Sequence, residues 1–493
     1  MVALEIKPSF SEFKQMTEHG NLIPVYEEFL ADVETPVSAY LKIKDKAFSY
    51  LLESAVGGER WGRYSFIGYK PYVVVLSRGR DVEIRQGAEK KILKDVENPL
   101  DALRDVSRKF TPVPSDDLAP FQGGLVGYVN FDLIRKWEYL PGLIPDNEEL
   151  PECLFTAARR LIIFDHFKHR MTVVAFAHLQ DGKDMKKVYS QACEELEEMK
   201  EELVGPLPAF SENDAFSLAE LEPNFKKEEF EAAVRKAKEY IVAGDVIQVV
   251  LSQQFSGEIS GDDFLLYRNL RSVNPSPYMF YLNFREVKLI GASPEILARL
   301  TDGKIVLRPI AGTRPRGETR TADLTLEQDL ISDPKERAEH IMLVDLGRND
   351  VGKVAVAGSV TVPDLMIVER YSHVMHIVSS VEGRLKPDMD SFDLFMAAFP
   401  AGTVSGAPKI RAMEIISELE PTSRGPYAGA VGYFAFNGNM DFCITIRTIA
   451  VIKNQLSVQV GAGIVADSSP EGEYQETLRK GGAMFRAIER VKA

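Results

Sequence analysis

The chain has 493 residues, 45% of them apolar and 27% charged, the balance of a globular protein too long for one ordinary core. A formal charge of −14 works against nucleic acid and anionic lipid as partners, which are held by basic patches. No apolar run approaches the roughly 20 residues that span a bilayer.

Met1 to Phe10 shows neither a basic leader nor an apolar stretch behind it, so nothing suggests export. Cys153, Cys193 and Cys443 are scattered and form no C-x-x-C pair, which points to a reducing cytoplasm and away from disulfides or zinc. A small anionic ligand is compatible with the charge if a cationic pocket, a metal or oriented backbone N–H groups receive it.

In chain order, Gly124-Leu125-Val126-Gly127-Tyr128-Val129-Asn130-Phe131 is a Gly-rich apolar strand start that is echoed at Ala430-Val431-Gly432-Tyr433-Phe434-Ala435-Phe436. Residues 185–203 read as a charged helix. Residues 205–224 follow, rich in Pro, Ser and acids, and read as a connector. The division expected is therefore an N-terminal lobe over 1–204 and a C-terminal lobe over 225–493. Phe230, Ala233, Val234, Ala237, Tyr240 and Ile241 then repeat at helical spacing, with Gly244 as the stop. The β-branched run 246–251 reads as a buried strand. Further strands are expected at 279–283, 304–309, 428–436, 442–452 and 456–464. They come in antiparallel-looking runs between amphipathic helices, which favours α+β over a βαβ alternation.

Two Gly-rich segments mimic nucleotide loops. Gly461-Ala462-Gly463-Ile464-Val465-Ala466 fits G-x-G-x-x-A, but Asp467-Ser468-Ser469-Pro470 intervenes before any helix. Gly402-Thr403-Val404-Ser405-Gly406-Ala407-Pro408-Lys409 has the wrong spacing for a P-loop.

Two helix starts resemble each other. Asp333-Pro334 opens a helix carrying Glu336 and Glu339, and Ser469-Pro470 opens one carrying Glu473 and Glu476. Glutamates three apart share a helical face. Taken alone, either pair reads more simply as acids favoured at a helix N-terminus. Taken together, they could offer two carboxylate faces to Mg²⁺, which prefers a few carboxylates plus water and substrate oxygens.

Several long motifs in order resemble the chorismate-utilising enzymes, over nearly the whole chain. They are Gly291-Ala292-Ser293-Pro294-Glu295, Pro309-Ile310-Ala311-Gly312-Thr313-Arg314-Pro315-Arg316-Gly317, Glu339-His340 through Asn349-Asp350, and Phe399-Pro400 through Pro408-Lys409. Leu51-Leu52-Glu53-Ser54 and Gly58-Glu59-Arg60-Trp61-Gly62-Arg63-Tyr64-Ser65 resemble the regulatory lobe of the anthranilate synthase component I group. The resemblance implies two packed antiparallel β-sheets flanked by helices, with the active site in the cleft. It implies that Glu339 and Glu476 hold Mg²⁺, supported by Glu336 and Glu473. Gly312, Thr313, Tyr427, Arg447, Gly461, Ala462, Gly463 and Lys480 match chorismate-binding positions. Arg suits a carboxylate through its planar fork, and Gly lets backbone N–H groups approach an anion. On its own, Tyr427 also reads as a core aromatic and Arg447 as the partner of an acid.

Within the family the nucleophile differs. Water-adding relatives carry a lysine base where this chain has Gln248, which cannot deprotonate water, so ammonia is implied. Aminodeoxychorismate synthases usually carry P-I-K-G-T, and here the lysine position is Ala311. The resemblance thus implies amination of chorismate and elimination of pyruvate to anthranilate. Glu295 is the candidate general acid for the C4 hydroxyl, and His376 serves the elimination or positions the substrate, with His373 a competitor. No cysteine sits in a Gly-x-Cys-x-Gly elbow, so ammonia is expected from a glutaminase subunit, in a heterotetramer of two large and two small subunits. Glu53 and Ser54 with Pro277, Tyr278 and Met279 match the two halves of an inhibitory L-tryptophan site. The competing readings are an aminodeoxychorismate synthase component and a non-catalytic tryptophan or chorismate sensor.

Overall fold

Two long strands, Tyr64–Arg78 and Cys153–Asp165, organise the molecule. They pair with each other along their length, and the register shifts between Pro71 and Val73. On one side of that irregularity they belong to one sheet, and on the other side to a second. The computed structural model describes residues 5–55, 62–115, 117–141, 150–180, 182–208, 216–371 and 374–492. His373 and Gly58 to Trp61 lie outside the described residues.

The first sheet runs Leu22–Leu30, Arg170–His178, the end of Cys153–Asp165, the start of Tyr64–Arg78, Ser49–Glu53, Tyr278–Phe284, Val287–Ser293, Thr448–Ile452, Gln455–Ile464 and Gln248–Ser260. The second runs Glu89–Leu93, Asp81–Gln86, the end of Tyr64–Arg78, the start of Cys153–Asp165, Gly124–Val129, Ala430–Ala435, Met440–Ile444, Ile296–Thr301, Lys304–Leu307 and Val374–Arg384. Ile310–Pro315 and Thr361–Arg370 flank Val374–Arg384. Every pairing between these strands is antiparallel among the described residues, so the α+β architecture of two packed sheets holds. Strands from both sides of residue 204 complete each sheet. The two echoed Gly-Tyr segments lie side by side, with Gly127 opposite Gly432.

Alternation along the strands builds two cores. In Tyr278–Phe284, Phe280 and Leu282 point between the sheets, while Met279 and Tyr281 point to the other face of the first sheet. That outer face is covered by the helices Met185–Val204, Phe264–Val273 and Pro470–Lys492, through Leu196, Leu270 and Met484 among others. The stripe expected after the connector is a helix, Lys227–Ala243, which buries Phe230, Val234 and Ala237 and stops at Gly244 with φ 87°.

One expected strand is two. The run 442–452 divides into Met440–Ile444 in the second sheet and Thr448–Ile452 in the first. Composition does not mark the break, because both halves are apolar and β-branched. The chain steps between sheets at Thr445 to Arg447, and Arg447 takes φ 49° to do so. A second step joins Val287–Ser293 to Ile296–Thr301 through Pro294 and Glu295. The two steps are knitted together: Ser293 Oγ donates to the Ile444 carbonyl at 2.7 Å, and the Ile444 N–H donates to the Glu295 carbonyl at 3.0 Å.

Candidate active site

The crossovers bring Glu295 and Arg447 to the same cleft. Glu295 is only 8% exposed, and burial pushes its carboxyl up to about 8. The Thr403 hydroxyl, the Ile310 N–H, Lys480 and Arg447 each offset part of that shift. No ion pair reaches Glu295 among the described residues. Arg447 is recessed and half-buried, and burial lowers its pKa while Glu295 raises it. Its one side-chain hydrogen bond among the described residues runs from Nη1 to Asn274 Oδ1 at 3.4 Å. It pairs with no acid there, so the simpler reading of Arg447 does not apply.

His376 lies on Val374–Arg384 opposite Thr313. Its Nδ1 is 2.9 Å from the Gly312 carbonyl and 3.0 Å from Thr313 Oγ1. A carbonyl only accepts, so Nδ1 carries the proton and Nε2 keeps its lone pair. Burial lowers the ring's pKa, which keeps it neutral near pH 7. Gly312 has φ 66°, a conformation that favours glycine, and a Cβ there would crowd Glu336 Oε2 at 3.0 Å.

Across the cleft, Gln248–Ser260 pairs with Gln455–Ile464, setting Ser252 against Gly461 and Val250 against Gly463. A side chain on Gly463 would strike the Gln248 amide, and one on Gly461 would strike the Tyr427 hydroxyl. Tyr427 is buried, and its hydroxyl is pushed up to about 12 by that burial. Gln248 Nε2 donates to Glu339 Oε1 at 3.3 Å, and Gln248 Oε1 is buried without a partner.

Both helix starts form as expected. Asp333 caps Pro334–Val354 through the Lys335 N–H at 2.9 Å, and Ser469 Oγ accepts from the Gly472 N–H at 3.2 Å at the start of Pro470–Lys492. Burial raises the pKa of Glu339, with Glu336 adding to the shift and Gln248 and Lys480 opposing it. Lys480, on Pro470–Lys492, has its amine 3.7 Å from Glu476 Oε1 and 3.2 Å from the Gly461 carbonyl. Glu336 is held by Arg314 at 3.0 Å and Glu476 by Arg479 at 2.8 Å. Glu473 makes no side-chain hydrogen bond or ion pair with the other site residues among those described. Nor do three acid, histidine or cysteine side chains gather there into a ready coordination shell. A half-buried carboxylate without a cation at ion-pair distance, beside a second carboxylate, fits a divalent ion that takes its remaining ligands from water and substrate.

Three contributors escaped the sequence reading. Thr403 faces Glu295, Asn274 holds Arg447, and Arg314 holds Glu336. Thr403 sits inside a quoted motif, but nothing local marks its partner.

The two halves of the lobe junction also meet. Glu53 lies opposite Met279, and the Ala55 N–H donates to the Ser276 carbonyl at 3.1 Å, with Pro277 half-buried beside them. Arg271 Nε and Nη2 donate to the Glu53 carboxylate at 3.0 and 3.2 Å, and the Tyr267 hydroxyl donates to it as well. Ser54 Oγ is buried without a hydrogen bond. The Tyr278 hydroxyl is committed to Asp441 at 2.9 Å.

Comparison with known proteins matches residues 50–486 to the chorismate binding enzyme family. Anthranilate synthase component 1 of Synechocystis sp. is 47% identical, over 98% of this chain and 99% of that one. The Aquifex aeolicus protein of the same name is 47% identical, over 99% and 98%. The crystal structure of anthranilate synthase component I from Streptococcus pneumoniae superposes with a TM-score of 0.76 at 36% identity, covering 92% of this chain and 98% of that one. The menaquinone-specific isochorismate synthase of Escherichia coli shares the fold, with a TM-score of 0.72 at 18% identity, covering 97% and 99%. With its two crossovers, its paired glutamate helices and its full-length relatives, this chain belongs to the chorismate-binding enzymes and, within them, to the anthranilate synthase component 1 family.

Proposed function

We propose that this chain is a lyase that converts chorismate and ammonia into anthranilate, pyruvate and water. The observation that carries the reading is Glu295: a buried carboxyl, protonated at neutral pH, beside two cations that it does not pair with. Hydroxide leaves poorly, so the C4 hydroxyl needs a proton as ammonia bonds to C2. Glu295 supplies it. The lone pair on His376 Nε2 then takes the C2 proton as pyruvate departs and the ring becomes aromatic.

Arg447 and Lys480 receive the substrate's carboxylates, and Gly461 to Gly463, Gly312, Thr313 and Tyr427 shape the wall around the ring. Gln248 offers an amide and no base, so water is not activated. Glu339 and Glu476, with Glu336 and Glu473 behind them, would hold Mg²⁺. When bound, the ion would polarise the ring carboxylate and offset the charge of the acids around it.

Ammonia comes from a glutaminase partner, component II, in a heterotetramer. In support, burial raises the pKa of all three cysteines, Cys153 to about 12, so none is the thiolate a glutaminase requires. A cytoplasmic enzyme is expected; among the described residues no helix is long and apolar enough to cross a membrane.

L-tryptophan acts at the lobe junction. The orphaned Ser54 hydroxyl supports this, as does the strand pairing that sets Glu53 against Met279 beside Pro277 and Tyr278. Inhibition by tryptophan in the wild type that is lost in Ser54→Phe is the expected result. Equal inhibition in both proteins would remove the site.

The main reading is tested by incubating the chain with chorismate, ammonium and Mg²⁺. Fluorescent anthranilate is expected. Accumulation of aminodeoxychorismate, or binding without turnover, would overturn the reading.

A further inference from the structure

A buried acid that gives up its proton in every turnover must recover one, and the water it creates must leave. Glu295 borders a cavity of about 40 Å³, shared with Thr403, Leu346, Gly347 and Asp350. At roughly 10–15 Å³ each, that is room for about three waters. Leu343, Leu346, Gly347 and Asp350 stand three and four apart on Pro334–Val354, so one helical face forms one wall.

The lining is polar where it matters. Thr403 Oγ1 is buried, faces the Glu295 carboxyl and completes no hydrogen bond of ordinary geometry. A buried hydroxyl in that position calls for a water partner. At the far end, Asp350 is held by Lys409 at 2.7 Å and by Lys353 at 3.1 Å, and the Lys353 side chain is half exposed. The cavity therefore runs from the acid to a charged cluster that reaches the surface. Gly347 borders it with room for a larger side chain: the nearest neighbours of a Cβ there would be Val381 and Leu307, at 3.5 Å and beyond.

We propose that this cavity is a water chamber serving Glu295, which takes up the water formed at C4 and returns a proton to the carboxylate from solvent. The inference rests on Glu295 being the general acid. In the step itself, the C4–O bond breaks with its electron pair going to oxygen. That oxygen takes the Glu295 proton and becomes water, leaving Glu295 as a carboxylate. The nitrogen bonded at C2 releases a proton to solvent, and solvent water returns an equal one through the chamber.

The test fills the chamber without touching the substrate. Gly347→Val and, as a second route should that variant not fold, Leu346→Phe are mixed rapidly with chorismate, ammonium and Mg²⁺, and anthranilate fluorescence is followed. Glu295 enters the first turnover already protonated. The expected result is a burst close to one equivalent at the wild-type rate, then a steady state slowed about tenfold, because reloading and water exit now limit. A first turnover and a steady state that fall together, or neither changing, would overturn the chamber. Glu295→Gln distinguishes the underlying reading: a first turnover at the wild-type rate in that variant would remove Glu295 as the acid, whatever the chamber variants do.

Discussion

Two glutamate–arginine constellations of this fold are finished differently. Arg424 and Glu420 have side chains 0% and 2% exposed, and every direction is used. Arg424 donates to Glu420 through Nε and Nη2, to the Val404 carbonyl at 2.7 Å and to the Val250 carbonyl at 2.7 Å. Glu420 also accepts from the N–H and hydroxyl of Ser252, each at 2.8 Å. The pair ties the short helix Gly402–Ser405, which carries Thr403, to the strand that carries Gln248. Glu295 and Arg447 sit on the neighbouring crossovers, influence each other electrostatically and make no ion pair. A buried charge is tolerated when its partners satisfy it, as in the first constellation. Where partners are withheld, the fold carries a cost that only a ligand relieves, and such withheld pairing is the mark of a functional site.

The sharpest way to break this contrast is Glu295→Gln. It should lower kcat by about 10²–10⁴-fold with the fold intact. The pH dependence follows from the same group. In the wild type, kcat/KM should fall as pH rises past about 8, where Glu295 loses its proton. It should also fall on the acid side, below the ordinary histidine range, where His376 gains one. Because the folded pKa lies above the unfolded value of 4.5, the stability contributed by the protonated form is complete below 4.5 and is lost as pH rises to about 8. Urea midpoints at pH 5 and pH 8 should therefore differ less in Glu295→Gln than in the wild type.

Arg424→Ala tests the other constellation. Removing one member of a buried pair should cost about 3–5 kcal/mol of stability, read in denaturant unfolding. Arg447→Ala should do the reverse. Its midpoint should stay within about 1 kcal/mol of the wild type, while kcat/KM falls by about 10–100-fold, the size of a lost charged hydrogen bond. If Arg447→Ala unfolds the protein and Arg424→Ala spares it, the contrast is wrong.

The smallest of these effects is at the acidic helices. Glu339→Gln should raise the Mg²⁺ concentration for half-maximal activity by about tenfold and leave stability unchanged or improved, since a desolvated carboxylate has gone. An unchanged Mg²⁺ titration would remove Glu339 from the metal.

Local features of the fold were legible because their causes are local. Asp333 before Pro334, Ser469 before Pro470 and the stripe ending at Gly244 each state a helix boundary in a few residues. The break at Thr445 to Arg447 was not legible. Its cause is that strands distant in sequence, Ile296–Thr301 and Val287–Ser293, pair with the two halves in different sheets. The same holds for Thr403 and Asn274, whose partners lie 108 and 173 residues away along the chain.

By itself, the sequence determined the residue types of the site, the paired helix openings and, through long ordered motifs, the family. Only the tertiary structure decided that Glu295 is a neutral acid, that Arg447 stands without a carboxylate and that Arg424 does not. Those properties come from desolvation and from which groups happen to be near. Both are sums over segments that meet only when the two sheets close on each other.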